Sequence, residues 1–476
     1  MAETAPDIRE LIRRDRAQPD SAAMAHVLVG TIFLALGAVL AALALISLAF
    51  PSFLPLGYGL LRAMAMLSAV VGFATLVLVG GAYFVLPRLT GARLWGERLA
   101  WAGLVLVAAT TAAGLIVVGA GFGDGGEPFA LPWWVDLPLL AGLAIPAVVA
   151  LQTLRHRFES RTYVTVHFIV TGLAALPLVY LAGNIPGLDP VPGTIADLFA
   201  SAAFVIVLVF LGVGLVHYSI VKSGDRPLAG RQLAQVAFWS LLFGAGWFGI
   251  SQMAGGPVPT WLAAVAAVLG LGFPVGMLAA TGSVAATLEG GWGEGGGDGV
   301  DPMATAAIAG TGFGLMVAIL ASIAGFRTAS VLVAYTTFWE GIVFGLVFGV
   351  IPLLAGAVLF QALPPMSGRR LFSAAQARRF IRLTLIGAGS LTALLVIAGV
   401  VTGYSWAGGS FTGAFVAVGE GWATASGPGL VFSGLAAAAG LVTAWANLSL
   451  ASLVFRTLTR GKATTQEVLV AREVES

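Results

Sequence analysis

Apolar runs longer than eighteen residues recur along nearly the whole chain, and that repetition limits the fold more than any single motif does. A helix rising 1.5 Å per residue needs about twenty such residues to cross roughly 30 Å of hydrocarbon. The chain has 476 residues, of which 58% are hydrophobic and only 10% charged, too few polar groups to cover a soluble surface. The class is therefore all-α and polytopic, with the lipid bilayer as solvent.

Twelve spans are predicted, at 24–50, 61–86, 97–121, 132–154, 163–186, 194–221, 231–254, 259–288, 303–325, 329–363, 377–402 and 427–456. Turn chemistry separates them in stretches such as "PSFLPLGYG", "GFGDGGEP" and "KSGDRPLAG". The organisation is a polar segment 1–23, a membrane domain 24–456 and a tail 457–476. The first apolar stretch is too long for a signal-peptide core, so no cleaved leader is expected. With the N-terminus inside, 22 of the 24 Lys and Arg fall on inner segments, and only Arg62 and Arg327 lie toward the outer side. That bias puts both termini in the cytoplasm. Trp133, Trp134 and Trp261 lie where an interfacial aromatic belt belongs. A net charge of +2 with the cations on membrane loops gives no nucleic-acid surface.

Few residues carry chemistry. Cysteine is absent, which removes disulfides and thiolate metal sites together. The four histidines, His26, His156, His167 and His217, all fall toward the inner side without metal-ligand spacing. No Walker loop, dinucleotide fingerprint or nucleophile elbow occurs. Glu340, in "AYTTFWEGIVFG", lies about eleven residues into the tenth predicted span, roughly 17 Å along a continuous helix. An intramembrane carboxylate marks a functional site or a buried polar network. Tyr335, Thr336 and Thr337 precede it by five to three residues and offer hydroxyl partners from the same helix. Asp136, Asp197 and Glu420 fall near outer ends, where solvated structural roles are expected.

Several stretches, in order, resemble the catalytic subunit I of the haem–copper oxidase superfamily, which includes nitric oxide reductases. They are residues 58–91, ending in "GGAYFVLPRLTG", "LPWWVD" (131–136), 163–187, 225–243, "PVPTWL" (257–262) and 334–373. The resemblance implies a twelve-helix subunit-I-like bundle in a prokaryotic cell membrane, working with other membrane or electron-transfer subunits. It also implies six histidines binding two haems and a copper or iron. The corresponding positions read Ala65, Ala202, Ser251, Gln252, Val343 and Gly345. None is a histidine, and Ser and Gln are poor ligands for haem iron or copper. Met64 and Met66 flank Ala65, and core packing is the plainer reading of both. The expectation is a pseudo-oxidase with no catalytic residue, bound haem or metal. Three rival readings are a working oxidase or nitric oxide reductase with atypical ligation, a proton or ion path using Glu340, and a vacated pocket that takes quinone or lipid.

Overall fold

The computed structural model describes residues 20–123, 129–184, 190–224, 227–253, 258–289, 301–406 and 427–462. Most of the polar N-terminal segment, most of the C-terminal tail and Glu420 lie outside the described residues.

Among the described residues, eleven helices are long and apolar enough to cross a membrane. They are α1 (Ser21–Ala49), α2 (Tyr58–Thr90), α3 (Glu97–Gly119), α4 (Trp133–Arg155), α5 (Val164–Gly183), α6 (Ile195–Gly224), α9 (Thr260–Leu288), α10 (Pro302–Gly325), α12 (Thr337–Ser367), α13 (Ala374–Tyr404) and α14 (Val431–Arg460). Three short helices complete the set: α7 (Arg231–Gly244), α8 (Trp247–Ser251) and α11 (Arg327–Val333).

The centre of the bundle is α2, α6 and α12, whose apolar stretches are almost wholly buried, while the others keep much of their surface for lipid. A helix apolar on all sides belongs at such a centre, and an outer helix turns one side to hydrocarbon. Around the centre, α1 packs on α2 and α14, α5 on α6, α10 and α13 on α12, and α7 on α9. Local chemistry sets the ends. Gly91 and Gly368 close α2 and α12 in the left-handed conformation, at φ 66° and 63°. Asp301 caps α10 by accepting from the Met303 N–H, with Pro302 at the first helical position. At the basic end, Arg88 of α2 holds both carboxylate oxygens of Asp20 at 3.0 and 2.8 Å. There too Ser21 donates to Glu97 at 2.6 Å, tying the start of α1 to α3.

Two predicted spans depart from the expected form. The seventh, 231–254, is not one helix: α7 stops at Gly244 and α8 restarts at Trp247. Gly246 sits at φ 83°, a left-handed conformation that glycine adopts without steric penalty. The fourteen residues of α7 extend about 21 Å, short of the hydrocarbon thickness. The tenth, 329–363, breaks after Val333. Tyr335 takes φ 61°, and the Thr336 hydroxyl accepts from the Phe338 N–H at 3.3 Å to start α12 afresh. Nothing in the periodicity marks either break. Two segments, Leu67–Thr75 in α2 and Leu346–Val350 in α12, are wound as π-helix, a geometry that often marks functional sites.

Candidate functional site

The two π-wound segments border the same internal cavity, of about 140 Å³, enclosed by α2, α6, α8 and α12. Its wall includes Arg62, Met66, Val70, Ser201, Ala202, Phe248, Gln252, Trp339, Glu340, Val343 and Leu346. Three of the six positions assigned to family ligands, Ala202, Gln252 and Val343, thus meet in one cavity from three helical elements. The other three do not line it. Ala65 is fully buried beside it in α2. Ser251 is buried and donates to the Phe248 carbonyl at 2.7 Å, while its own carbonyl accepts from Ser330 at 3.3 Å. Gly345 faces α13, where an added Cβ would lie 2.5 Å from the Thr392 hydroxyl oxygen.

The electrostatic centre of the cavity is an ion pair between α2 and α12. Arg62 Nε lies 2.8 Å from Glu340 Oε1 and 2.9 Å from Oε2, with both side chains less than a quarter exposed. Charge-assisted pairing of this kind is strong and directional. The Tyr58 phenol, one turn before Arg62, sits beside both charges. Glu340 is the fourth residue of α12, about 5 Å from its start, so it lies near one end of the bundle rather than at mid-membrane.

The expected hydroxyl partners do not meet it. Tyr335 is 65% exposed, Thr336 donates to Val333 O at 2.8 Å, and Thr337 donates to Leu395 O on α13 at 3.1 Å. The helix break explains this, because spacing on a continuous helix does not carry across Thr336. Arg62 was missed as a partner. Its signal was available: it is one of only two cations off the basic side, and it stands close to a span end, as Glu340 does in the folded chain.

The residues present do not fit haem or copper. Haem iron takes His, Cys, Met or Tyr, and the wall offers one thioether, Met66, with no imidazole opposite. Met64 points away, its thioether beside Gly119 of α3. The volume lies well under the roughly 300 Å³ at which small-molecule pockets begin. Two of its wall residues, Phe248 and Trp339, stack on each other with ring centroids 6.1 Å apart.

Elsewhere, the four histidines do not converge, and among the described residues no group of three His, Cys, Asp or Glu could hold a metal. His26 is buried with Nδ1 2.7 Å from Ala22 O, and its ring stands edge-on to Tyr83 at 5.1 Å. His217 is buried against Phe168, while His156 and His167 are exposed. Asp136, expected to be solvated, is instead buried and accepts a hydrogen bond from Tyr180. Asp197 is half-buried near the start of α6.

Comparison with known proteins agrees with this architecture. The family model for "Cytochrome C and Quinol oxidase polypeptide I" matches residues 21–445. Cytochrome c oxidase subunit 1 of Rhodobacter capsulatus is 25% identical over 276 residues, 52% of this chain and 51% of the relative. The chain therefore aligns with about half the length of that relative. A cytochrome c oxidase subunit 1 homolog of Agrobacterium tumefaciens is 24% identical over 80% of this chain and 73% of its own. The Cbb3-type cytochrome c oxidase subunit CcoN1 of Stutzerimonas stutzeri is 23% identical over 73% and 76%. A heme-copper terminal oxidase dimer solved by cryo-EM shares the fold, with TM-score 0.74 at 15% identity over 94% of this chain and 85% of that one. The chain is a multi-pass, cytochrome c oxidase subunit I-like membrane protein and belongs to the cytochrome c and quinol oxidase polypeptide I family.

Proposed function

We propose that this chain is a non-catalytic subunit-I homologue, a pseudo-oxidase that keeps the bundle as a membrane scaffold within an electron-transfer assembly. One observation carries the reading. None of the six positions matched to family ligands is a haem or copper ligand, and the cavity where three of them meet is small and bridged by Arg62–Glu340. The relatives' printed names describe subunits, and the solved neighbour is a dimer, which supports partner subunits for this chain as well. The distribution of Lys and Arg supports a cell-membrane location with both termini on the cytoplasmic side.

A proton path through Glu340 finds no support in the geometry, because the carboxylate is committed to a guanidinium. The test is a reduced-minus-oxidised visible spectrum of the purified chain with iron and copper analysis. No haem bands and metal far below one equivalent are expected. Stoichiometric haem or copper would overturn the proposal and restore the working-oxidase reading with atypical ligation.

A further inference from the structure

On the surface of the bundle, α1, α13 and α14 enclose an open groove of about 970 Å³, remote from the cavity and independent of the pseudo-oxidase reading. Most of its wall is apolar, including Val39, Ile46, Leu441 and Trp445. Arg379 of α13 and Arg456 of α14 also line it. Neither guanidinium meets a carboxylate among the described residues. Their contacts are aromatic instead: Arg379 stands 5.6 Å from the Trp445 ring and Arg456 5.8 Å from that of Phe372. Ser449 and Ser452 line the groove as well, and neither hydroxyl has a hydrogen-bond partner among the described residues.

We infer that this groove is a binding site for one anionic glycerophospholipid, with Arg379 and Arg456 attracting its anionic headgroup by charge and the apolar wall holding an acyl chain. Two cations beside hydrocarbon, with no carboxylate partner among the described residues, need an anion. The arginines also lie on the side where most Lys and Arg collect, and basic pockets between helices on that side recognise anionic headgroups.

The test uses the full chain in bilayer discs of equal phosphatidylcholine and phosphatidylglycerol, released into the gas phase for native mass spectrometry. A retained phosphatidylglycerol adduct is expected, reduced about five-fold by Arg379→Gln or Arg456→Gln and kept by Arg379→Lys. Arg327→Gln, on the opposite side, should leave it unchanged. The lysine and Arg327 variants separate loss of charge from loss of fold. Equal retention of phosphatidylcholine, or an adduct surviving the double Gln variant, would overturn the site. So would a photo-cross-linker at Ser452 that captures a polypeptide rather than lipid in native membranes.

Discussion

Arg62 and Glu340 stand 278 positions apart in the chain and 2.8 Å apart in space. Removing one partner leaves a charge in a cavity that is mostly apolar, whereas removing both leaves two neutral side chains of similar size. Because each side chain is about a fifth exposed, the penalty is smaller than for a fully buried pair. Arg62→Gln or Glu340→Gln alone should therefore cost about 1–3 kcal/mol. The double variant should lie within about 1 kcal/mol of the parent. Unfolding in detergent measures the cycle, and strictly additive losses would show that the two charges act separately. Composition alone singled out Glu340, since a carboxylate amid apolar neighbours is conspicuous. Its partner was not legible, because a pairing over that separation depends on how α2 and α12 are placed side by side. The hydroxyls nearest in sequence were the wrong choice for a local reason, the break at Tyr335.

Most helices follow the hydropathy pattern to within a few residues, because twenty apolar residues in a bilayer leave the backbone little alternative to helix. The breaks were harder to read. At Gly246 a glycine was visible, but glycine is also the common small packing residue of membrane helices and so carries no unique message. At Tyr335 the chain turns on a residue that normally avoids positive φ, between α11, which packs beside α13, and the start of α12. Gly403 of α13 is where that packing is closest. A Cβ there would lie 1.4 Å from the Leu332 carbonyl oxygen of α11. Gly403→Ala must push the two helices apart and should cost about 1–3 kcal/mol or more, as overpacking does. Gly434→Ala in α14 meets nothing within 4 Å and should be neutral or slightly stabilising. Thermal unfolding of the two variants side by side checks this, and equal effects would contradict the close approach.

For the whole molecule, hydropathy and the order of short motifs were enough to indicate the family fold, whereas the shape of the cavity at Arg62 and Glu340 required three helical elements to be brought together. Orientation is the global property that sequence argues most strongly, and it can be checked directly. The absence of cysteine means that a single introduced thiol reports from one place. Ser160 lies in the α4–α5 connection near the end of α2, where Phe158 N–H donates to Thr90 O at 3.0 Å. Ser52 follows α1 and precedes the opposite end of α2, and both serines are exposed. One helix thus separates the two sites across the bilayer. With the basic connections inside, a membrane-impermeant maleimide should label Ser52→Cys in intact spheroplasts and Ser160→Cys only after lysis. The reverse pattern would place the cations outside and contradict the positive-inside argument. Labelling of both from one side would contradict α2 as a full crossing, and with it the placement of Arg62–Glu340 at the end of the bundle away from the basic connections.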